Sequence, residues 1–204
     1  MKKIVHFSLI VATVFFASSC KNDTQTSAAS AIKAAVASPE KEVVNVQKEK
    51  VERGGYLVAT IGCSDCHSPK KMTANGPVPD EDRFLSGYNA AEPLSTYDPK
   101  LVKDGRWLLF NGQLTAFAGP WGVSFAANLT PDETGIGNWS LAQFKKAIRE
   151  GKSKGLDGNR MLLPPMPWPN FAKLTDADIE AVFLYLKTIK PVKNVVPAPI
   201  PPKV

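Results

Sequence analysis

The chain has 204 residues, 44% of them hydrophobic and 22% charged, with a formal net charge of +6. That length supports one ordinary domain with extensions, and the composition excludes both a wholly disordered chain and a multi-span membrane protein. Setting aside Lys2 and Lys3 of an N-terminal leader takes the charge from +6 to +4, too weak a bias to indicate nucleic-acid binding.

In chain order, residues 1–19 combine a basic start, an apolar run from Ile4 to Phe16 and the small residues Ala17, Ser18 and Ser19 before Cys20. This is the pattern of an export signal rather than a spanning helix. Its ending resembles a bacterial lipoprotein signal, which implies that Cys20 is lipidated and becomes the mature N-terminus. Ala17 stands where leucine is usual, and the alternative is an ordinary secretory peptide with a chance cysteine. Either reading puts the rest of the chain outside the cytoplasm. The lipidated one places it on the periplasmic side of a bacterial membrane.

Residues 20–50 turn to Ser, Thr, Ala, Lys, Glu and Gln with no aromatic residue, so they are expected to form the lipid anchor and a flexible tether. Some 30 such residues would reach roughly 30 Å; a helix from about Glu42 is the alternative. Residues 51–193 are expected to form one mainly α domain. Its first helix is predicted from about Lys48 to Ile61, with Tyr56, Leu57 and Ile61 at helical spacing and a close packing contact to explain Gly54 and Gly55. Between Trp107 and Phe117, two apolar runs flank Asn111-Gly112, the signal of a tight hairpin. Ser140, with Gln143 three residues on, starts a second helix that carries Phe144, Ala147 and Ile148 and stops at Gly151. Thr175 opens a third, with Leu174 and Ile179 as a hydrophobic staple and a buried stripe of Ile179, Val182, Phe183 and Leu186. A proline-rich tail follows over 194–204.

The chemistry rests on Cys63-Ser64-Asp65-Cys66-His67. Three cysteines and two histidines in the whole chain cannot make a disulfide-rich scaffold or a many-ligand metal site. A thiol redox pair would leave the adjacent histidine as chance, and structural zinc normally takes four Cys or His ligands. The spacing instead suits covalent haem attachment: two thiols add to two vinyl groups while the next imidazole reaches the iron. One motif means one haem c. His6 lies in the leader, so a second histidine ligand is excluded and methionine is the leading candidate for the sixth position. Met72 is only five residues from His67. Met161 follows Gly158-Asn159-Arg160, a glycine-rich loop expected to leave its backbone loose. Met166 sits in Leu163-Pro164-Pro165-Met166-Pro167-Trp168-Pro169, a proline-stiffened strap suited to holding a thioether over iron.

The motif, with Asn128-Leu129-Thr130-Pro131-Asp132, Thr134-Gly135-Ile136-Gly137, Trp139, Ala147-Ile148-Arg149-Glu150-Gly151, Met166-Pro167-Trp168 and Leu174-Thr175-Asp176 to Tyr185-Leu186, resembles class I cytochrome c domains. It is similar in particular to the haem domains of cytochrome subunits serving periplasmic dehydrogenases. The likeness runs from about 51 to 193, and the stretch from Lys70 to about Phe125 is longer than that pattern requires. The resemblance implies a cytochrome c-like helical fold around one covalent haem, with a small β-hairpin in the insertion, and assigns the axial methionine to Met166.

A His/Met haem has no open position for a substrate, which points to electron transfer with redox partner proteins: a dehydrogenase, an oxidase or a peroxidase. The alternative is a haem enzyme or gas sensor with an open or labile sixth position. Trp121, Asn128 and Trp168 are candidate haem contacts, with core filling as the plainer role. Lys145, Lys146, Arg149, Lys152 and Lys154 form either a docking patch for an acidic partner or a solvated helix face.

Overall fold

A computed structural model describes residues 39–202. The export signal over 1–19, Cys20 and the tether as far as residue 38 lie outside the described residues. Five α-helices are present among those described: α1 (Pro39–Thr60), α2 (Cys63–His67), α3 (Leu141–Glu150), α4 (Trp168–Phe171) and α5 (Asp176–Leu186). None is long and apolar enough to cross a membrane.

The core is built from α1, α3 and α5. Leu57 and Val58 of α1, Phe144 of α3, and Ile179, Val182, Phe183 and Leu186 of α5 are buried together with Leu85 and Ile136 from loops. The Phe144 and Phe183 rings lie 5.3 Å apart at a 42° tilt, a favourable aromatic arrangement. The two glycines of α1 mark where it crosses α5: a Cβ on Gly54 would collide with the Ala181 carbonyl, and one on Gly55 would lie 2.9 Å from the Tyr185 ring. Glycine is tolerated mid-helix here because it lets two backbones meet. Ion pairs flank the crossing, Lys50 to Glu180 at 2.7 Å and Arg53 to Asp178 at 2.9 Å.

The caps follow the residue pattern closely. Ser140 accepts from the Gln143 N–H and Gly151 closes α3 in the left-handed region at φ 65°. Gln143 does not reach back as a full capping box requires; its amide donates to the Lys154 carbonyl. Thr175 caps α5 through the Asp178 N–H. The first helix begins at Pro39 rather than near Lys48, so the end of the segment expected to be a flexible tether is helical. Val43, Val44 and Val46 are exposed on it.

The long segment between α2 and α3 carries two small antiparallel sheets. Strands β1 (Lys70–Thr73) and β2 (Gly76–Pro79) form a hairpin, closed by Ala74-Asn75, that was not anticipated. The Asn75-Gly76 pair was its signal, since Gly76 adopts φ 106°. Strands β3 (Leu109–Phe110), β4 (Ala116–Gly119) and β5 (Gly122–Phe125) form the second sheet in that order. The hairpin expected around Asn111-Gly112 exists, but it is not a two-residue turn. Leu109 pairs with Ala118 and Phe110 with Phe117, and the strands themselves are joined by the five residues 111–115. Asn111 organises it by accepting from the Thr115 and Ala116 N–H groups, and Leu114, not Gly112, takes the positive φ of 57°.

The proline-rich tail is part of the fold. Ile200 exchanges two backbone hydrogen bonds with Val123 of β5, at 2.8 and 2.9 Å. Asn194 is buried and donates to the carbonyls of Ser86 and Tyr88 while its side-chain oxygen accepts from Ala90. The chain after α5 therefore staples the 84–90 loop.

Gly54→Ala is expected to destabilise the domain by about 3 kcal/mol or more, because a Cβ has no room against backbone. Gly112→Ala meets nothing within 4 Å and should leave the melting temperature nearly unchanged. Arg53 holds the Asp178 carboxyl below its ordinary value. A carboxyl with a depressed folded pKa stabilises above its unfolded value, near 4, and loses that contribution as pH falls through the folded one. Asp178→Asn should flatten stability over that acid range, measured by denaturation at a series of pH values.

Candidate haem-attachment site

Helix α2 is one short turn made almost entirely of the motif itself. Gly62 leads into it in the left-handed conformation at φ 77°, where a Cβ would strike the Asp65 carboxylate at 2.7 Å. Cys63, Cys66 and His67 are all half-buried, and both cysteines are free thiols. Burial pushes the Cys63 thiol up to about 11, and burial followed by the Asp65 carboxylate raises that of Cys66. A thiol redox pair needs a lowered thiol pKa, so this environment opposes that alternative. Among the described residues no group of three or more His, Cys, Asp or Glu gathers to hold a metal ion.

The His67 ring is oriented by the backbone. Its Nδ1 lies 2.7 Å from the Ala127 carbonyl oxygen. A carbonyl only accepts, so Nδ1 carries the proton and Nε2 keeps its lone pair. Burial, opposed by that hydrogen bond, keeps the ring below its ordinary pKa and hence neutral. A haem fits this donor set: two protonated thiols and one neutral imidazole, with its outer nitrogen already committed, lie on a single turn.

Lys70 closes the far end of α2. Its ammonium donates to the carbonyls of Ser64, Asp65 and Ser68 at 3.2, 2.9 and 2.5 Å, meeting the acceptors that a helix C-terminus leaves unsatisfied. The Lys70 N–H donates to the Gln113 side-chain oxygen, and Gln113 donates onward to Glu92. The insertion is thereby tied to the attachment turn. Ser68 is fully buried and its hydroxyl accepts from Leu85 N–H, fixing Leu85 in the left-handed region at φ 58°.

The methionines separate clearly. Met72 is 81% exposed on β1. Met161 is 41% exposed and its backbone is better held than the glycine-rich loop implied: Lys152 and Met161 form a β-bridge, and Ser153 N–H donates to the Arg160 carbonyl. Met166 is half-buried on the strap. Prolines are not all that holds the strap. Leu162 N–H donates to Gly151 at 2.6 Å, and the Ser124 hydroxyl of β5 donates to the Pro164 carbonyl at 2.6 Å.

Trp121 donates its indole N–H to that same Ser124 hydroxyl at 3.2 Å, so it braces the strap from the insertion. Trp168 packs its ring on Gly151, where a Cβ would collide with the indole. Asn128 is buried with its whole amide engaged inside the protein. Its oxygen accepts from the N–H and hydroxyl of Thr130, and its nitrogen donates to Thr134 and Val192. It shapes the loop that begins beside Ala127. The cations of α3 meet surface carboxylates: Lys145 and Arg149 pair with Asp176 at 3.0 and 2.6 Å, and Lys146 pairs with Asp157. Three of the five cations of the anticipated docking patch thus have carboxylate partners within the chain. Ala127, Lys70 and Ser124 were missed because a backbone acceptor and two unremarkable polar residues carry no sequence signal.

Lys70→Met is expected to cost about 1–2 kcal/mol, since it removes the ammonium donor of the Asp65 and Ser68 carbonyls, while that of Ser64 still accepts from Ser68 N–H. It should also lower the fraction of protein carrying covalent haem, read from a pyridine haemochrome spectrum against total protein.

A family model for cytochrome c matches residues 51–190. Over 150 residues the chain is 30% identical to the fructose dehydrogenase cytochrome subunit of Gluconobacter japonicus, a match covering 72% of this chain and 23% of that one. It is 38% identical over 136 residues to the gluconate 2-dehydrogenase cytochrome c subunit of Pantoea cypripedii, covering 66% and 22%. Over 75 residues it is 45% identical to the cytochrome c subunit of the quinone-dependent alcohol dehydrogenase of Gluconobacter oxydans, covering 36% and 15%. The chain thus spans less than a quarter of the length of these relatives. With the attachment turn, the oriented imidazole and a match over most of its length, the chain belongs to the cytochrome c family, which carries covalently bound haem c.

Proposed function

We propose that this protein is a single-haem electron carrier with His67 and Met166 as axial ligands, held by a lipidated Cys20 on the periplasmic side of a bacterial membrane. The observation that carries the reading is the hydrogen bond from His67 Nδ1 to the Ala127 carbonyl, which leaves the Nε2 lone pair free for ligation and orients the ring. When bound, the haem supplies one-electron redox chemistry at its iron. The protein's part is to hold geometry. Cys63 and Cys66 anchor the ring edge, Ala127 orients the imidazole and makes it a better donor, and the strap presents the Met166 sulfur. Methionine ligation raises the potential relative to two nitrogen ligands. The relatives' names support a dehydrogenase as electron donor, and a terminal oxidase or peroxidase suits the acceptor.

The family resemblance and the anchor at Pro164 on the strap support Met166 as the ligand, while Met161 sits on its own bridge to Lys152. In the ferric protein, Met166→Ala should lose the far-red sulfur-to-iron absorption band, lower the potential and admit carbon monoxide to the reduced form, while Met161→Ala should change none of these. A band that survives Met166→Ala and vanishes in Met161→Ala would assign the other sulfur. A wild-type protein that lacks the band and binds carbon monoxide readily would turn the reading toward an enzyme or sensor.

Cys63→Ala and Cys66→Ala should each impair covalent loading, and haem that leaves the wild type in acid-acetone would contradict thioether attachment. Cys20→Ala should release the protein from membranes on a salt wash, because multiple acyl chains anchor stably where one does not. An unmodified Cys20 by mass spectrometry would refute the anchor.

A further inference from the structure

The insertion presents an apolar surface that the fold does not use. Trp107, Leu108 and Phe110 are 71%, 48% and 65% exposed in near succession, and Leu101 is exposed just before them. The loop that carries them is firmly seated. Val102 is buried beneath it, Gly105 turns at φ 73° with space for a Cβ only 3.3 Å from Pro120, and the Leu101, Val102 and Gly105 N–H groups donate to Asp98, Pro99 and Val102. Exposure of these side chains is therefore built into the structure. Beside Phe110 lies a groove of about 210 Å³ lined by Leu94, Tyr97, Leu109, Phe117 and Val123 among others.

The charges around this surface favour the positive sign by one, Lys100, Lys103 and Arg106 against Asp98 and Asp104. Lys100 and Lys103 are exposed and have no carboxylate partner among the described residues, whereas one of the two local acids, Asp104, is paired. Asp98 caps the turn by accepting from the Lys100 N–H, and Asp104 pairs with Arg106. Tryptophan and leucine beside unpaired lysines are the composition of an interfacial membrane element: rings and alkyl chains enter the headgroup boundary while ammonium groups meet anionic lipid. Strand β3 is two residues long, too short to recruit a partner strand by edge pairing.

We propose that residues 100–110 dock the domain onto an anionic bilayer, with Trp107 and Leu108 inserting and Lys100 and Lys103 bound to lipid headgroups. The inference deepens the membrane-anchoring reading above: the acyl chains would hold the protein near the membrane, and this loop would fix which face it turns toward the lipid.

Hydrogen exchange of the full-length haem protein tests this, with phosphatidylcholine vesicles that contain or lack phosphatidylglycerol. Exchange in peptides spanning 100–110 should slow with phosphatidylglycerol, recover in high salt and stay fast with phosphatidylcholine alone. Each lysine near an anionic surface strengthens binding roughly fivefold, so Lys100→Glu with Lys103→Glu should abolish the protection. Trp107→Ser with Leu108→Ser should do the same, without altering the haem spectrum, since all four side chains are exposed. Slowing that occurs without lipid and grows with protein concentration would assign the surface to a second copy and overturn the proposal. So would no slowing with either vesicle. The anchor fails separately: protection of 100–110 at low salt in a protein that washes off the vesicles in high salt would leave the loop standing and remove the lipid on Cys20.

Discussion

The crossing of α1 over α5 is the constraint on which the rest of the domain depends. Two helices separated by most of the domain's sequence approach closely because Gly54 and Gly55 present no side chain to Ala181 and Tyr185. That approach gathers Leu57 and Val58 with Ile179, Val182, Phe183 and Leu186, and it sets where α1 ends. The attachment turn begins three residues after α1 stops, so its orientation derives from the crossing. The two ion pairs beside the glycines are partly exposed and add register more than energy.

From that starting point the insertion acts on both sides of the candidate site. On one side the Lys70 N–H binds Gln113 while the Lys70 ammonium caps the turn that bears His67. On the other, Ser124 binds the Pro164 carbonyl on the segment that bears Met166, and Trp121 braces Ser124. A stretch that exceeds the family's basic pattern thus stiffens the two segments carrying the proposed ligands. Ligands held by packing and outer hydrogen bonds reorganise less when charge changes.

Much of this was legible in the residues because local chemistry dictated it. Ser140, Gly151 and Thr175 marked helix ends through capping that depends only on near neighbours, and the Cys63–His67 spacing carried its chemistry intact. The Gly54-Gly55 pair correctly announced a close contact, though not its partner, since a partner on a distant element of the chain leaves no local trace. The five-residue β3–β4 connection escaped because Asn111 uses its side chain to close the loop, which makes the Asn-Gly signal true for the hairpin and misleading for the turn. The pairing of the α3 cations was hidden for a similar reason: their partners Asp176 and Asp157 lie outside α3. The α1 extension to Pro39 lacks an apolar stripe buried in the core, so periodicity could not announce it.

The segment after α5 has a consequence for the order in which the domain is completed. Asn194 joins Ser86, Tyr88 and Ala90 across more than a hundred positions, Val192 receives the Asn128 amide, and Ile200 pairs with Val123. The loop behind the imidazole and the first loop of the insertion are therefore both locked by residues that follow α5. Contacts of such long sequence separation form late, because the closure entropy precedes the reward. A nascent chain emerging from its N-terminus would leave Cys63 and Cys66 on an open turn until the segment after α5 arrived. Until that segment docks, the two thiols are more open than in the finished fold, which half-buries them.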